Sequence, residues 1–239
     1  MTAPVLLVGG MDSSGGAGVL RDAAAVGQAG GTAMVAVTAV TAQTDRRVMS
    51  VHPVPTDVVA DQITAAGPVG AVKLGMLCNR AIVDAVADAL SQTPLVLDPV
   101  IRSSSGHALL DAEGVAAMLS RLMPRTTLLT PNLPELDWLA QAMGCRVERA
   151  VTALLGAGCG AVLVKGGHGN DPGVSVDTLF RLDHPPVHYE APRYPVSLRG
   201  TGCQLASTIA AHLARGEALE YAIQAGKDVL TTRFATICQ

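Results

Sequence analysis

The sequence predicts an α/β protein whose central, mainly parallel sheet is covered by helices on both faces. Short apolar runs typical of buried strands alternate along the chain with longer stretches that have helical periodicity. Hydrophobic residues make up 49% of the 239 residues and charged residues only 15%. This composition excludes a disordered chain, and the length fits one domain spanning residues 1–239.

The alternation of strands and helices can be followed segment by segment. We expect strands at Val5–Val8, Met34–Ala39, Ala71–Leu74, Leu95–Leu97, Thr127–Leu129 and Ala161–Val164. We expect helices between them at Gly16–Ala29, Asp57–Ala66, Arg80–Ser91, Ala112–Leu122 and Pro134–Met143. Repeated strand–helix units of this kind predict parallel strands in a sheet that is buried on both faces.

The pattern changes after Val164. Val174–Arg181 and Val187–Glu190 are strand-like and are separated by a short segment that contains two prolines. This spacing predicts an antiparallel pair at one edge of the sheet. Two helices, Thr201–Arg215 and Ala218–Ala235, are expected to complete the fold.

Charge and cysteine usage exclude several classes of partner. The formal charge is only −3 and no block of Lys or Arg is present, which argues against nucleic acid and against an anionic membrane surface. Residues 23–44 carry no charge, but glycines and polar residues interrupt them, so we expect a buried helix–turn–strand unit rather than a membrane span. Five cysteines without a metal-binding spacing predict a reduced, cytoplasmic protein.

A glycine-rich segment, residues 9–18, follows the first predicted strand. Its glycines allow the backbone to approach a ligand closely, and the helix that follows offers free N–H groups. The spacing is neither that of the dinucleotide fingerprint nor that of a P-loop. An ordinary glycine-rich turn is the alternative interpretation.

A second glycine-containing segment, Arg199–Cys203, directly precedes a long apolar helix. Successive N–H groups at a helix start predict an anion hole that the helix dipole reinforces. The first-turn position of Cys203 predicts a lowered thiol pKa and a role as a thiolate or proton acceptor. A helix cap followed by a small buried residue is the alternative.

Three further strand ends carry polar residues. Asp98 and Glu135 follow two different strands and are suited to organise Mg²⁺, directly or through waters. Lys165 follows another strand, and the two glycines after it suit phosphate oxygens. Together with the two glycine segments, these residues predict phosphoryl transfer from a metal–nucleotide complex.

Seven segments, in this order, resemble the hydroxymethylpyrimidine/phosphomethylpyrimidine kinases of thiamine biosynthesis, within the ribokinase-like superfamily. The segments are Asp12 with Ser14–Gly18, Val37–Ala39 with Thr41–Gln43, Lys73–Leu77, Leu97–Val100, Leu129–Glu135, Val164–His168 and Gly200–Cys203. Cys203 stands where ribokinase-like sugar kinases have an aspartate, which favours the pyrimidine branch. Arg199 stands where the family commonly has a histidine.

The resemblance implies a three-layer ribokinase-like fold, ATP as co-substrate, Mg²⁺ and a homodimer. It implies phosphorylation of 4-amino-5-hydroxymethyl-2-methylpyrimidine monophosphate, with the free alcohol as a second candidate substrate. A pyridoxal-type kinase and a catalytically silent pyrimidine-binding sensor are the alternatives.

The resemblance also implies a role for each matching residue, and Gln43 is the one expected to read the edge of the aminopyrimidine. The substrate contacts are Gly10, Asp22, Gln43 and Met76; the nucleotide contacts are Lys165, Asn132 and Arg199; the metal-organising carboxylates are Asp98 and Glu135; and the anion hole with its catalytic cysteine is Gly200, Thr201, Gly202 and Cys203.

Overall fold

A computed structural model describes residues 3–44, 47–103, 106–168 and 173–238. Within these ranges the chain forms a nine-stranded sheet. The strands are β1 Val5–Asp12, β2 Ala33–Gln43, β3 Val48–Pro53, β4 Ala71–Leu74, β5 Leu95–Leu97, β6 Leu128–Leu129, β7 Val162–Val164, β8 Val174–Phe180 and β9 Val187–Pro192.

The helices connect the strands. They are α1 Gly18–Gln28, α2 Thr56–Ala65, α3 Arg80–Ala89, α4 Ala112–Ala117, α5 Leu133–Ala142, α6 Val147–Gly156, α7 Thr201–Leu213 and α8 Leu219–Ile237. Helix α4 continues into a π-helical turn, Met118–Leu122, and a 3₁₀ turn, Met123–Arg125. None of the helices in the described ranges combines the length and apolar character needed to cross a membrane.

The strand order is β3-β2-β1-β4-β5-β6-β7-β8-β9. The six strands from β2 to β7 in this order are parallel to their neighbours, and β3, β8 and β9 are antiparallel additions at the two edges. The predicted mainly parallel sheet and its antiparallel edge pair are therefore confirmed.

Helices cover both faces of the sheet because the central strands are apolar on both sides. In β1, Leu6 and Val8 pack into one hydrophobic core with residues of α2 to α6, whereas Val5 and Leu7 pack into a second core with α1, α7 and α8. Alternate residues of a strand point to opposite faces, so a continuous apolar run supplies both cores. The three-layer architecture is the expected ribokinase-like one.

The structure also contains two elements that the sequence did not predict. Strand β3 pairs with the end of β2, and helix α6 begins after Arg146 without a side-chain cap. The first strand is longer than predicted and continues to Asp12, so Gly9 and Gly10 lie within the sheet. Helix α1 accordingly begins at Gly18 rather than at Gly16.

Candidate functional site

The parallel strands end at one edge of the sheet, and this edge collects most of the predicted site residues. Asp98 follows β5, Asn132 follows β6 and Lys165 follows β7. A β-bridge pairs Asn132 with Lys165, and the backbone N–H of Asp98 donates to the carbonyl of Leu74 in β4. Open α/β sheets bind their ligands at this edge.

Asp98, Glu135 and Lys165 form a buried charged cluster there. The Lys165 Nζ donates to Asp98 Oδ1 at 2.8 Å and lies 3.6 Å from Glu135 Oε2. Burial opposes the charged form of Asp98, but the ammonium groups of Lys165 and Lys73 outweigh it and hold the pKa of this carboxyl below its usual range. Thr130 donates a further hydrogen bond to Asp98 Oδ1 at 3.2 Å. Asp98 is therefore a carboxylate at neutral pH.

Glu135 serves the start of α5 as well as the cluster. Its backbone N–H donates to Asn132 Oδ1, and its Oε2 accepts from the backbone N–H of Asn132, both at 2.8 Å. This reciprocal capping box fixes both side chains. Burial raises the pKa of Glu135, opposed by Lys165 and reinforced by the charge of Asp98. Both residues thus have a structural role beside the functional one that the resemblance implies.

The carboxylates of Asp98 and Glu135 fit a metal ion whose other ligands are waters and nucleotide phosphates. Among the described residues, no group of three His, Cys, Asp or Glu side chains is arranged to hold a metal ion. Mg²⁺, however, commonly takes only one or two carboxylates and completes its shell with waters and nucleotide phosphates. Asp98 and Glu135 are hard oxygen donors of that kind, so the donor set fits Mg²⁺ bound together with a nucleotide.

The start of α7 packs against the charged cluster. Gly200 caps this helix with a left-handed conformation, φ +71°. A Cβ atom on Gly202 would lie 3.2 Å from Lys165 Nζ and 3.4 Å from Asp98 Oδ2. The absence of a side chain at Gly202 lets the first turn of α7, with its free N–H groups, approach the ion pair closely. Thr201 lies in the same first turn.

The prediction of a lowered pKa for Cys203 is wrong. Burial raises the pKa of this thiol to about 11, because its loss of water outweighs the favourable charge of Lys73, while Asp22 and Asp98 add further negative charge nearby. Position in the first helical turn alone suggested a thiolate. In the folded protein Cys203 is a neutral thiol at physiological pH.

Asp22 lies beneath the site. It is fully buried, its two oxygens accept from Lys73 Nζ at 2.9 and 2.8 Å, and Ser207 donates to it at 2.8 Å. The carboxylates of Asp22 and Asp98 outweigh burial and raise the pKa of Lys73. The resemblance implies a substrate contact for Asp22, and in this structure its side chain is buried and held by Lys73 and Ser207.

A second group of predicted site residues lies near β1 and β2: Gly10, Gln43, Met76 and Arg199. A Cβ on Gly10 would lie 2.7 Å from the Met76 sulfur, so these two residues are in direct contact. The guanidinium of Arg199 donates to Gln43 Oε1 at 3.2 Å and to Asp12 Oδ2 at 3.1 Å. The Arg199 side chain therefore points towards β1 and β2, whereas Lys165 and Asn132 lie at the ends of β7 and β6.

A cleft of about 170 Å³ opens beside the charged cluster. Its lining includes Lys165, Thr201 and Gly202. It also includes Tyr194 and Phe234, whose rings stack with their centroids 5.8 Å apart and their planes 2° apart. The cleft thus offers both cationic and aromatic side chains to a ligand.

A buried ion pair supports the floor of this cleft. Lys227 of α8 and Asp177 of β8 are both buried and lie 2.8 Å apart. Asp177 also accepts from the backbone N–H of Gly166 at 2.8 Å, which ties α8 to the loop that follows Lys165. The sequence analysis missed Tyr194, Phe234, Asp177 and Lys227. The carboxylate of Asp177, inside a strand with no other charged residue, was the one available signal, because charged residues are rarely buried without a partner.

Comparisons with known proteins identify the family to which the chain belongs. The model of the family described as "Phosphomethylpyrimidine kinase" matches residues 12–238. A hydroxymethylpyrimidine/phosphomethylpyrimidine kinase from Haemophilus influenzae is 34% identical over 239 residues, which cover 95% of this chain and 89% of that protein.

Solved structures show the same relationship. A phosphomethylpyrimidine kinase from Clostridium difficile matches with a TM-score of 0.79 and 28% identity, covering 99% of this chain and 100% of that one. A pyridoxal kinase from Staphylococcus aureus, in complex with AMP-PCP, matches with a TM-score of 0.84 and 28% identity, covering 95% of this chain and 86% of that one. The family match and the curated relative each span nearly the whole chain, and this chain belongs to the phosphomethylpyrimidine kinase family.

Proposed function

We propose that this protein transfers the γ-phosphoryl group of ATP to 4-amino-5-hydroxymethyl-2-methylpyrimidine monophosphate, as a step of thiamine biosynthesis. The observation that carries the proposal is the contact between Gly202 at the start of α7 and the Lys165–Asp98 ion pair. Free helix N–H groups and an ammonium group meet there at one point. That is the arrangement a phosphoryl group needs during transfer.

The cleft supports a nucleotide on one side of this point. Among its lining residues, Lys165 and Thr201 suit the phosphates, and the stacked rings of Tyr194 and Phe234 suit the base. Asn132 holds its place beside Lys165 through the capping box and the β-bridge. The pyridoxal kinase compared above binds AMP-PCP, which supports a nucleotide of this class.

The pyrimidine is proposed to lie on the opposite side. Met76 is buried against Gly10 and supplies an apolar surface, while the carboxamide of Gln43 supplies a polar group at the rim. Both ligands then approach the start of α7 from different directions, so the acceptor oxygen and the γ-phosphorus meet at the anion hole of Gly200 to Cys203.

Catalysis is then mostly positioning and charge stabilisation. Lys165 and the N–H groups of Gly202 and Cys203 stabilise charge on the transferred group. Mg²⁺, organised by Asp98 and Glu135, supplies charge neutralisation of the nucleotide phosphates when it is bound. Asp98 and Glu135 each keep further oxygen lone pairs while Lys165 restrains their orientation.

The neutral thiol of Cys203 favours the monophosphate over the free alcohol. A phosphate oxygen is already anionic and attacks without a base, whereas a hydroxyl must lose its proton. A thiol whose pKa is raised to about 11 is a poor base at neutral pH. We therefore expect a higher kcat/KM for the monophosphate than for the alcohol.

The test measures ADP release with ATP, Mg²⁺ and three acceptors: the monophosphate, the free alcohol and pyridoxal. Highest kcat/KM with the monophosphate supports the proposal, and highest kcat/KM with pyridoxal replaces it by the pyridoxal-kinase alternative. Binding of the pyrimidine, seen as a thermal shift, without turnover of any acceptor indicates the silent sensor. Loss of turnover in EDTA, with recovery on added Mg²⁺, tests the metal.

A homodimer and a cytoplasmic location belong to the same proposal. Exposed apolar side chains gather at the β3 edge of the sheet, including Val40 of β2 and Met49 of β3, which is 62% exposed. Such a patch suits a second copy of the chain. All five cysteines are free thiols, which suits a reducing compartment.

A further inference from the structure

Arg199 joins segments that are far apart in sequence. Its Nη1 donates to Ser14 Oγ at 3.0 Å and to the carbonyl oxygen of Thr44 at 3.2 Å. Its Nη2 donates to Asp12 Oδ2 at 3.1 Å and to Gln43 Oε1 at 3.2 Å. One guanidinium therefore connects the loop after β1, the end of β2 and the segment that leads into α7.

The bond to Asp12 neutralises a buried carboxylate. Asp12 is 2% exposed, and its oxygens accept from Ser14 N at 2.8 Å, Ser14 Oγ at 2.7 Å and Ala17 N at 2.9 Å. These bonds shape the loop between β1 and α1. A buried carboxylate needs a cationic partner as well as hydrogen bonds, and Arg199 supplies it.

The bond to Gln43 fixes the orientation of its carboxamide. An arginine side chain has donors only, so the amide oxygen of Gln43 must be the atom that faces it. The amide nitrogen then points away, and it makes no hydrogen bond within the ranges of the chain that the structure describes. Gln43 is half-buried, and its backbone N–H is itself held by Ser13 Oγ at 3.1 Å.

The Arg199 backbone is held as well. Arg233 of α8 donates to the Arg199 carbonyl oxygen at 3.1 Å and to Gln204 Oε1 of α7 at 2.7 Å. Gly200, the next residue, caps α7. The position of the carboxamide is therefore linked mechanically to the anion hole.

We propose that Arg199 is a positioning residue that orients Gln43 so that its NH₂ group faces a hydrogen-bond acceptor on the substrate ring. This inference rests on the proposed function and specifies what the site selects. A ring nitrogen without hydrogen, as in the aminopyrimidine, accepts from that group. A ring that carries an N–H there, as in the corresponding 4-oxopyrimidine, meets a donor and leaves both donors unpaired.

The experiment compares kcat/KM for the aminopyrimidine monophosphate and its 4-oxo analogue in the wild type, Arg199→Met and Gln43→Leu. We expect the wild type to prefer the aminopyrimidine by about tenfold to a hundredfold, because the 4-oxo ring leaves its own N–H and the Gln43 NH₂ group unpaired. In Arg199→Met the amide is free to turn over, so the preference should fall below about threefold, with the KM for ATP unchanged. Adding Arg199→Met to Gln43→Leu should not lower the preference further.

Arg215→Met is the matched control. Arg215 is 21% exposed against 24% for Arg199, and it likewise makes an ion pair and a bond to a backbone carbonyl, but it follows the C-terminal end of α7. It should keep the wild-type preference. A preference unchanged in Arg199→Met, or a rise in the KM for ATP alone, overturns the proposal.

Hydrogen exchange separates this inference from the proposed function. In Arg199→Met the backbone amides of Ser14, Ala17 and Gln43 should exchange at least about tenfold faster than in the wild type, whichever substrate the enzyme uses. Unchanged exchange rates overturn the inference even if the pyrimidine is phosphorylated. If exchange is faster in Arg199→Met but the wild-type enzyme phosphorylates neither pyrimidine, the proposed function is refuted, and the claim about ring selectivity with it.

Discussion

Removal of Lys73 should destabilise the protein strongly, and the loss should grow with pH. Lys73 and Asp22 are each 1% exposed, and the ammonium group bonds both carboxylate oxygens. In Lys73→Met, Asp22 keeps only the hydrogen bond from Ser207. Breaking a buried ion pair by removing one partner costs about 3–5 kcal/mol, because the remaining carboxyl must either stay charged without its partner or take up a proton.

The pH dependence follows from the protonation of Asp22. Burial raises the pKa of this carboxyl already in the wild type, where Lys73 is the main group that opposes the rise, so removing Lys73 raises it further and keeps Asp22 protonated to higher pH in the folded variant. In the unfolded chain the same carboxyl ionises near pH 4. The unfolded state thus loses a proton that the folded state keeps. Stability is greatest below about pH 4 and falls by about 1.4 kcal/mol per pH unit up to the raised folded pKa.

Urea denaturation followed by circular dichroism at pH 4.5, 5.5 and 6.5 measures this effect. We expect Lys73→Met to lose stability relative to wild type between the first and last of these pH values, by at most about 3 kcal/mol, because two pH units at about 1.4 kcal/mol each set the limit. The double variant Asp22→Leu/Lys73→Met replaces the pair with apolar groups and should recover most of the stability without the added pH dependence. It also keeps the test decisive if the single variant unfolds at neutral pH.

Arg146→Met is the control for loss of a positive charge. Arg146 and Glu148 form an exposed pair, 86% and 67% exposed and 3.5 Å apart, so the change should stay within about 0.5 kcal/mol at every pH. A Lys73→Met variant whose stability differs from wild type by the same amount at all three pH values would refute the reasoning. It would mean that water reaches Asp22 once the lysine is gone.

Four further predictions concern the site and its surroundings. Gly200 and Gly15 both have a left-handed φ near +70°, but of the two only Gly200 lies where an added Cβ would press on a backbone carbonyl. Urea denaturation should therefore show about 1 kcal/mol of stability lost in Gly15→Ala and about 2 kcal/mol more lost in Gly200→Ala. Lys227→Met breaks the ion pair under the cleft and should raise the KM for ATP about tenfold or more in steady-state assays, while the KM for the pyrimidine stays unchanged. Because burial raises the pKa of Cys203 to about 11, its alkylation by iodoacetamide should stay slow up to about pH 10, and fast labelling at pH 8 would contradict a neutral thiol. Met49→Lys places a charge on the exposed edge and should shift a dimer to monomer in light scattering, whereas an unchanged mass would remove this edge from the interface.

The parallel centre of the fold could be predicted because its signals are local. Apolar runs such as Leu95–Leu97 are buried on both faces and cannot be mistaken for loops. Helix α6 was missed because Arg146 provides no capping side chain, so no start signal precedes it. Strand β3 was missed because it is an exposed edge strand, and its mixed sequence Val48–Pro53 shows no clear alternation.

In the site, too, features with local sequence signals could be predicted, and pairings between distant residues could not. Asp98 and Lys165 could be placed together from sequence because parallel strands end at one edge. The partner of Asp22 is 51 residues away and that of Lys227 is 50 residues away, and no local pattern specifies either pairing. For Cys203, its position at a helix start suggested a lowered thiol pKa. Burial raises that pKa instead, and burial depends on the elements packed around the residue, which the local sequence does not specify.

Gly202 shows how the local and long-range features act together. A side chain there would occupy the space between the first turn of α7 and the Lys165–Asp98 pair. A Cβ atom on Gly202 would already lie 3.2 Å from Lys165 Nζ and 3.4 Å from Asp98 Oδ2, which leaves no room for further atoms in that direction. Without it, helix N–H groups and an ammonium group lie close enough for one phosphoryl group to contact both. Asp98 keeps Lys165 at that position, and Lys73, which also faces Asp98, stays charged because Asp22 offsets its burial. The anion hole therefore depends on an ion pair beneath it that touches no exposed surface, and this is why stability and phosphoryl transfer should fail together when Lys73 is removed.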